Sequence, residues 1–206
     1  MATTSAKRSA AVSRTTSEPH LWLTDDPDHC ALLAENANAF LIGFILDQQV
    51  TVQKAFKGPW DLRDRIGTLD PAAIAAMPIA ELEAAFAEKP ALHRFPSAMA
   101  KRVHEAMRIV AETYAGDSAR IWTEADDDLA ELERRLKQIP GLGAGKLTSI
   151  AAILTNRCGM AFTGWQDAVC EYGTLGDVDS PEALHAYQAA KRAYKKAARA
   201  TAAAKG

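Results

Sequence analysis

The sequence predicts an all-α fold, on three observations. Alanine is abundant, while β-branched and aromatic residues are sparse in most segments, which favours helix over strand. Apolar residues recur at helical spacing between clear start and stop signals, and no segment alternates with period two for long enough to make a strand. Hydrophobic residues make up 48% of 206 positions, enough to fill one substantial globular unit or two small lobes sharing a cleft.

The helices follow in order. Thr24-Asp25-Asp26-Pro27 offers a capping side chain before a first-turn proline, so a helix runs from about Asp28 to Asn36. Asn38 opens a second one, whose run Ala39-Phe40-Leu41-Ile42-Gly43-Phe44-Ile45-Leu46 is apolar on every side and belongs at the centre of the fold. It ends in the polar triplet Asp47-Gln48-Gln49. A third helix spans about Thr51 to Ile66, interrupted near Gly58-Pro59. Asp70-Pro71 and Met77-Pro78 start two short helices, 71–76 and 79–87, and Lys89-Pro90 and Phe95-Pro96 are breaks. Ser97 to Tyr114 is a long amphipathic helix with Met99, Val103, Met107, Val110 and Tyr114 inward, stopped by Gly116. Asp126 to Lys137 is another, with Leu129, Leu132 and Leu136 on one face. Helices from Ala144 to Arg157 and from Gly164 to Tyr172 follow, and Ser180-Pro181-Glu182 caps a last one reaching toward Thr201.

Three segments result: a disordered tail over 1–19, a helical domain over 20–179 and a basic C-terminal helix over 180–206. The net charge of −2 hides an asymmetry. Residues 180–206 hold six basic side chains against Glu182, a net +5, so the remainder carries −7. A basic tail suits a polyanionic partner, and it is equally the solvated face of an alanine-rich helix lying on the domain through Leu184, Tyr187 and Tyr194. Cys30, Cys158 and Cys170 are too few and too scattered for a disulfide framework, zinc site or iron–sulfur site, and read as small buried thiols. No apolar run approaches the ~20 residues of a membrane span, and the N-terminus lacks the apolar stretch of a secretory signal. We therefore expect a cytoplasmic monomer with no membrane partner.

The most informative segment is the turn between two helices, Ile139-Pro140-Gly141-Leu142-Gly143. Its glycines permit positive φ and close backbone approach, and the restarting helix leaves amides unpaired at its positive end. Such a bend suits a phosphate oxygen, and it is also the ordinary turn of an αα-hairpin. With the apolar helix after it, this segment resembles the helix-hairpin-helix of the base-excision-repair DNA glycosylase superfamily, which includes endonuclease III and the adenine and alkylpurine glycosylases. Phe40 to Gln49 resembles that family's apolar helix ending in a Gln-containing turn, and Phe95 to Val110 its helix of basic and small residues. Order and spacing agree over roughly 30–175. A bacterial branch of the superfamily shares the Asp-Gln-Gln turn, the Lys-Pro-Ala-Leu-His-Arg-Phe-Pro segment and the Gly-Trp motif.

The resemblance implies a helix-hairpin-helix glycosylase fold, two small helical lobes flanking a cleft, and double-stranded DNA as the partner. Gly141, Leu142 and Gly143 would hold the duplex backbone, with Lys146 and Lys101 beside them and Arg102 and Arg108 on a basic rim. Gln48 or Gln49 would fill the gap left by an extruded base, or would simply form a solvated turn. The catalytic Asp expected twenty residues past Gly143 is Thr163 here. Asp167, four residues on, and Asp47, beside the Gln turn, remain as candidate acids. The lysine nucleophile of bifunctional members would fall at Gly145, and Lys146, one residue on, is rotated by about 100° around its helix. It reads as a phosphate contact or a solvated charge, so no lyase activity is expected. Trp165 could stack on a flipped base or belong to the core; His93 and Phe95 could line the base pocket, touch the backbone or form a surface turn. No cofactor is implied beyond, at most, a monovalent cation at the hairpin, and with no further cysteine beyond Cys170 no iron–sulfur cluster. Two functions follow: a monofunctional DNA glycosylase of base-excision repair, or a non-catalytic helix-hairpin-helix DNA-binding protein that has lost its acid. An unrelated helical interaction module is the third, predicting no salt-sensitive affinity for DNA.

Overall fold

In a computed structural model the structure describes residues 21–203, and every regular element among them is helical. The proposed tail over 1–19 lies outside the described residues. Ten α-helices follow one another: α1 Pro27–Glu35, α2 Ala37–Leu46, α3 Val52–Ile66, α4 Pro71–Ala76, α5 Ile79–Ala87, α6 Pro96–Thr113, α7 Arg120–Thr123, α8 Leu129–Leu136, α9 Ala144–Cys158 and α10 Pro181–Ala203. Short 3-10 turns at Trp165–Ala168 and Leu175–Asp177 join α9 to α10.

Helix α2 is the axis of the packing. Residues Ala39 to Leu46 are all buried, as a run with no polar side demands. Phe44 packs edge-on against Phe40 and Phe56, and Phe40 in turn against Trp122. Helix α3 lies along α2, and α6 holds α4 and α5. The inward face expected of α6 is present, since Met99, Val103, Met107, Val110 and Tyr114 are all buried. Helix α9 packs against α8 and both 3-10 turns. One continuous hydrophobic cluster, from Leu21 to Tyr187, joins these groups.

Several boundaries differ from expectation, each for a local reason. Helix α2 starts two residues early, because Asn36 has the extended backbone of a cap and accepts the Ala39 amide at 3.0 Å. Asn38 lies inside the helix and instead bonds the Ser118 amide and hydroxyl and the Gly116 carbonyl. Helix α3 is not interrupted at Gly58-Pro59. Both residues are buried, and a Cβ on Gly58 would come within 2.4 Å of Leu46 Cδ1, so close packing on α2 outweighs the lost helix hydrogen bond. Helix α8 begins at Leu129 rather than Asp126, since of three aspartates only Asp128 caps; Asp126 and Asp127 sit at φ 51° and 58°. The helix expected over 164–172 shrinks to one 3-10 turn, between Gly164 at φ 85° and an extended Val169. Only Cys30 is the buried thiol expected, whereas Cys158 and Cys170 are exposed.

Among the described residues no single helix is long and apolar enough to cross a membrane; α1 and α2 together reach that composition only across a 113° bend.

Candidate site at the glycine hairpin and the Gln turn

The hairpin begins where α8 runs out. Leu136 and Ile139 are buried, Gly141 turns the chain at φ 91°, and Leu142 drops back into the core. Leu142 is 4% exposed and its amide donates to the Ile139 carbonyl at 3.1 Å, so it anchors the turn and offers nothing outward. Gly141 is half-buried: a Cβ there would lie 2.9 Å from Gln48 Nε2 and 3.6 Å from Ile45 Cγ2. Gly143 and Gly145 are open. Nothing lies within 4 Å of a Cβ at either, and both are exposed. Gly143 is the N-cap of α9, and no side chain accepts a bond from that helix's first amides. The Ile139 carbonyl accepts the Leu142 amide and the Gly143 carbonyl the Lys146 amide of α9. No group of three His, Cys, Asp or Glu able to hold a metal occurs among the described residues.

Opposite the hairpin, the end of α2 is held by side chains from three directions. Its last carbonyls form the negative end of the helix dipole and lack helical partners. Lys146 Nζ, from the first turn of α9, donates to the Phe44 carbonyl. Gln48 Nε2 donates to the Ile45 carbonyl at 2.8 Å, while its Oε1 accepts from the Arg102 guanidinium. His93 Nε2 donates to the Gln48 carbonyl at 2.9 Å, and Nδ1 accepts the Phe95 amide at 3.1 Å, which fixes one tautomer. The segment carrying His93 is fastened to α3, as Arg65 bonds the carbonyls of Ala85, Glu88 and Pro90 and Lys54 that of Ala91.

These contacts change the reading of several residues. His93 is 1% exposed with both ring nitrogens engaged, and burial holds it below the ordinary imidazole range, so it is a neutral brace for the turn. Phe95 is 41% exposed, beneath the Arg94 guanidinium at 4.7 Å. Trp165 is 7% exposed and its indole donates to the Phe162 carbonyl at 3.0 Å, which makes it core rather than a stacking platform. Lys101 pairs with Glu83 of α5, and its neighbour Arg102 reaches the turn instead. Gln48 is consumed by internal bonds. Gln49 is exposed, at φ 57°, and is the side chain of the pair that faces outward.

Lys146 is neither a solvated charge nor a free phosphate contact. Burial pushes its ammonium down to about 8; Asp47 opposes that shift, and Arg102 and Lys191 add to it. The two candidate acids are differently placed. Asp47 is half-buried at the end of α2, within the field of Lys146. Asp167 is exposed on the 3-10 turn and makes no hydrogen bond or ion pair among the described residues. Thr163 is exposed as well.

Beside Asp47 a recess of about 400 Å³ opens between the Gln turn and α10. Asp47, Gln49 and Thr51 form one wall, and Lys191, Arg192 and Lys195 the other. Gln188 fixes the wall by donating to Gln53 Oε1 at 2.6 Å. Of the three side chains expected to lay α10 on the domain, Leu184 and Tyr187 are buried, whereas Tyr194 is 42% exposed. Comparison of the chain with known protein families, with curated proteins and with solved structures finds no match to any of them.

Proposed function

We propose that this chain binds double-stranded DNA through its glycine hairpin and acts as a monofunctional DNA glycosylase of base-excision repair. One observation carries the reading: an uncapped helix start with exposed Gly143 and Gly145, flanked by the outward-facing Gln49. Free amides at the positive end of a 15-residue helix suit a phosphate, and the missing Cβ atoms let the backbone approach. Gln49 then serves as the side chain that enters the gap when a nucleotide leaves the stack. Asp47 is the carboxylate nearest to that turn. It supplies negative charge for an oxocarbenium-like sugar, or aligns the water that attacks it. Lys146, held on the Phe44 carbonyl, is engaged away from any Schiff-base role. The product is an abasic site with an intact strand.

The experiment pairs two variants on a panel of single-lesion duplexes. Gly143→Ser supplies the missing cap for α9 from an extended N-cap backbone (φ −82°, ψ 172°), so it preserves or raises stability. Its hydroxyl takes the amides a phosphate would use, and duplex affinity falls. Asp47→Asn leaves binding intact and abolishes base release. Retained affinity in Gly143→Ser overturns the hairpin reading, and base release surviving Asp47→Asn overturns the assignment of the acid.

A second reading, a DNA-binding protein without catalysis, is favoured by Thr163 at the expected acid position and by the burial of Trp165 and His93. It predicts duplex binding with no base released from any lesion.

A further inference from the structure

Surface cations of this protein are, for the most part, neutralised at short range. Lys57 pairs with Asp61, Arg108 with Glu105 and Glu112, Arg134 with Glu131, Arg135 with Glu124 and Glu131, and Lys137 with Glu133. Helix α10 is different. Its five basic side chains, Lys191, Arg192, Lys195, Lys196 and Arg199, make no ion pair among the described residues. Arg192, Lys195, Lys196 and Arg199 are exposed, and Lys191 rests on Tyr187, donating to its hydroxyl at 3.3 Å.

This unspent charge is not spread over a convex surface. Lys191, Arg192 and Lys195 converge on the recess facing the Gln turn, and Lys196 and Arg199 extend the row of cations along α10. Lys191 also lies close enough to Lys146 for the two charges to oppose each other, with the Asp47 carboxylate acting on Lys146 in the opposite sense. The helix cannot swing away freely: Gln188 is tied to Gln53, His185 to Asp25, and Tyr194 and Tyr187 both pack on Tyr172.

We infer that the cleft between the Gln turn and α10 is a second backbone-binding site, in which Lys191, Arg192 and Lys195 hold phosphodiesters of the same duplex that the hairpin grips. The inference rests on the DNA-binding reading above and extends it to the C-terminal helix. Three convergent cations beside a single carboxylate favour a multiply charged, extended anion over a small acid. The continuation along α10 favours a polymer, because the row of unpaired cations extends past the recess on the same helix. Contacts of Lys191, Arg192 and Lys195 to phosphodiesters position the duplex without reading its sequence.

Salt titration of duplex affinity tests this. Each phosphate contact contributes about 0.9 to the slope of log affinity against log salt. The variant Lys191→Gln/Arg192→Gln/Lys195→Gln should lower that slope by about 2.7 if all three contacts are made. Because Lys191 also supports Tyr187, the double variant Arg192→Gln/Lys195→Gln, confined to exposed positions, should lower it by about 1.8 without touching the packing. A control that removes the same charge elsewhere, Lys57→Gln/Arg134→Gln/Lys137→Gln, should leave the slope within 0.5 or so of the unaltered protein, because those side chains line neither the recess nor α10 and are already paired. A slope unchanged in the double and triple variants, or matched by the control, overturns the inference while leaving the hairpin reading intact if Gly143→Ser still loses affinity. Absence of duplex binding by the unaltered chain at low ionic strength overturns both.

Discussion

Gly141→Ala tests the joint between hairpin and Gln turn most directly. The residue sits at φ 91°, where a Cβ costs about 1–2 kcal/mol. The new methyl would also lie 2.9 Å from Gln48 Nε2, so the amide must swing out and give up its bonds to Ile45 and Arg102. Two such bonds contribute about 1 kcal/mol each, which brings the total to about 3–4 kcal/mol. For a chain of this size that is a fall in Tm of roughly 10 °C, read by circular dichroism on heating. A double-mutant cycle separates the two parts. In a Gln48→Ala background the methyl meets only ordinary contacts with Ile45 and Arg102, and Gly141→Ala should then cost only the backbone part, leaving a coupling of about 2 kcal/mol. An equal cost in both backgrounds would show that Gln48 does not cover Gly141 and would refute the geometry described for the turn.

Other outcomes follow from the same contacts. Lys146 titrates near 8 in the folded chain against 10.5 for an ordinary lysine, so above pH 8 the unfolded chain binds more protons and stability rises with pH. The gain is about 1.5 kcal/mol between pH 8 and 9.5, before tyrosines ionise, and urea titrations should find it missing in Lys146→Met. Trp165→Phe removes the donor to the Phe162 carbonyl and should cost about 1–2 kcal/mol in a denaturation curve while duplex affinity stays constant. Gly176→Ala would drive a Cβ to 2.5 Å from the Ala152 carbonyl carbon in the backbone of α9, and should cost about 3 kcal/mol, since helix backbone cannot rotate aside as a side chain does.

The elements of the fold were legible wherever a signal is local. The apolar run of α2, the proline starts of α1 and α4 and the inward stripe of α6 need only neighbours in sequence to be read. Errors arose where a distant partner decides. Gly58-Pro59 looks like a break until Leu46 packs on it. Among adjacent candidates, Asn36 rather than Asn38 and Asp128 rather than Asp126 became the cap, because backbone conformation chose between equivalent side chains. The site suffered more. His93 and Trp165 each have an apolar body and a polar tip, a combination equally suited to a pocket or a core, and only their carbonyl partners on Gln48 and Phe162 distinguish the two. Lys101 and Arg102 differ by one helical step, which sends one toward Glu83 and the other toward Gln48.

The fastening of the α2 terminus also bears on the order in which the chain is assembled. Its contacts come from residues 45, 54 and 102 positions away along the sequence, through His93, Arg102 and Lys146. Long loops must close before any of these bonds can form, so they are among the slowest to appear. A nascent chain would have its glycine bend, which is local, before the stretch carrying Gln49 took its final posture. Ribosome-bound fragments ending before Lys146 therefore have every residue of that stretch, yet lack the ammonium that holds it.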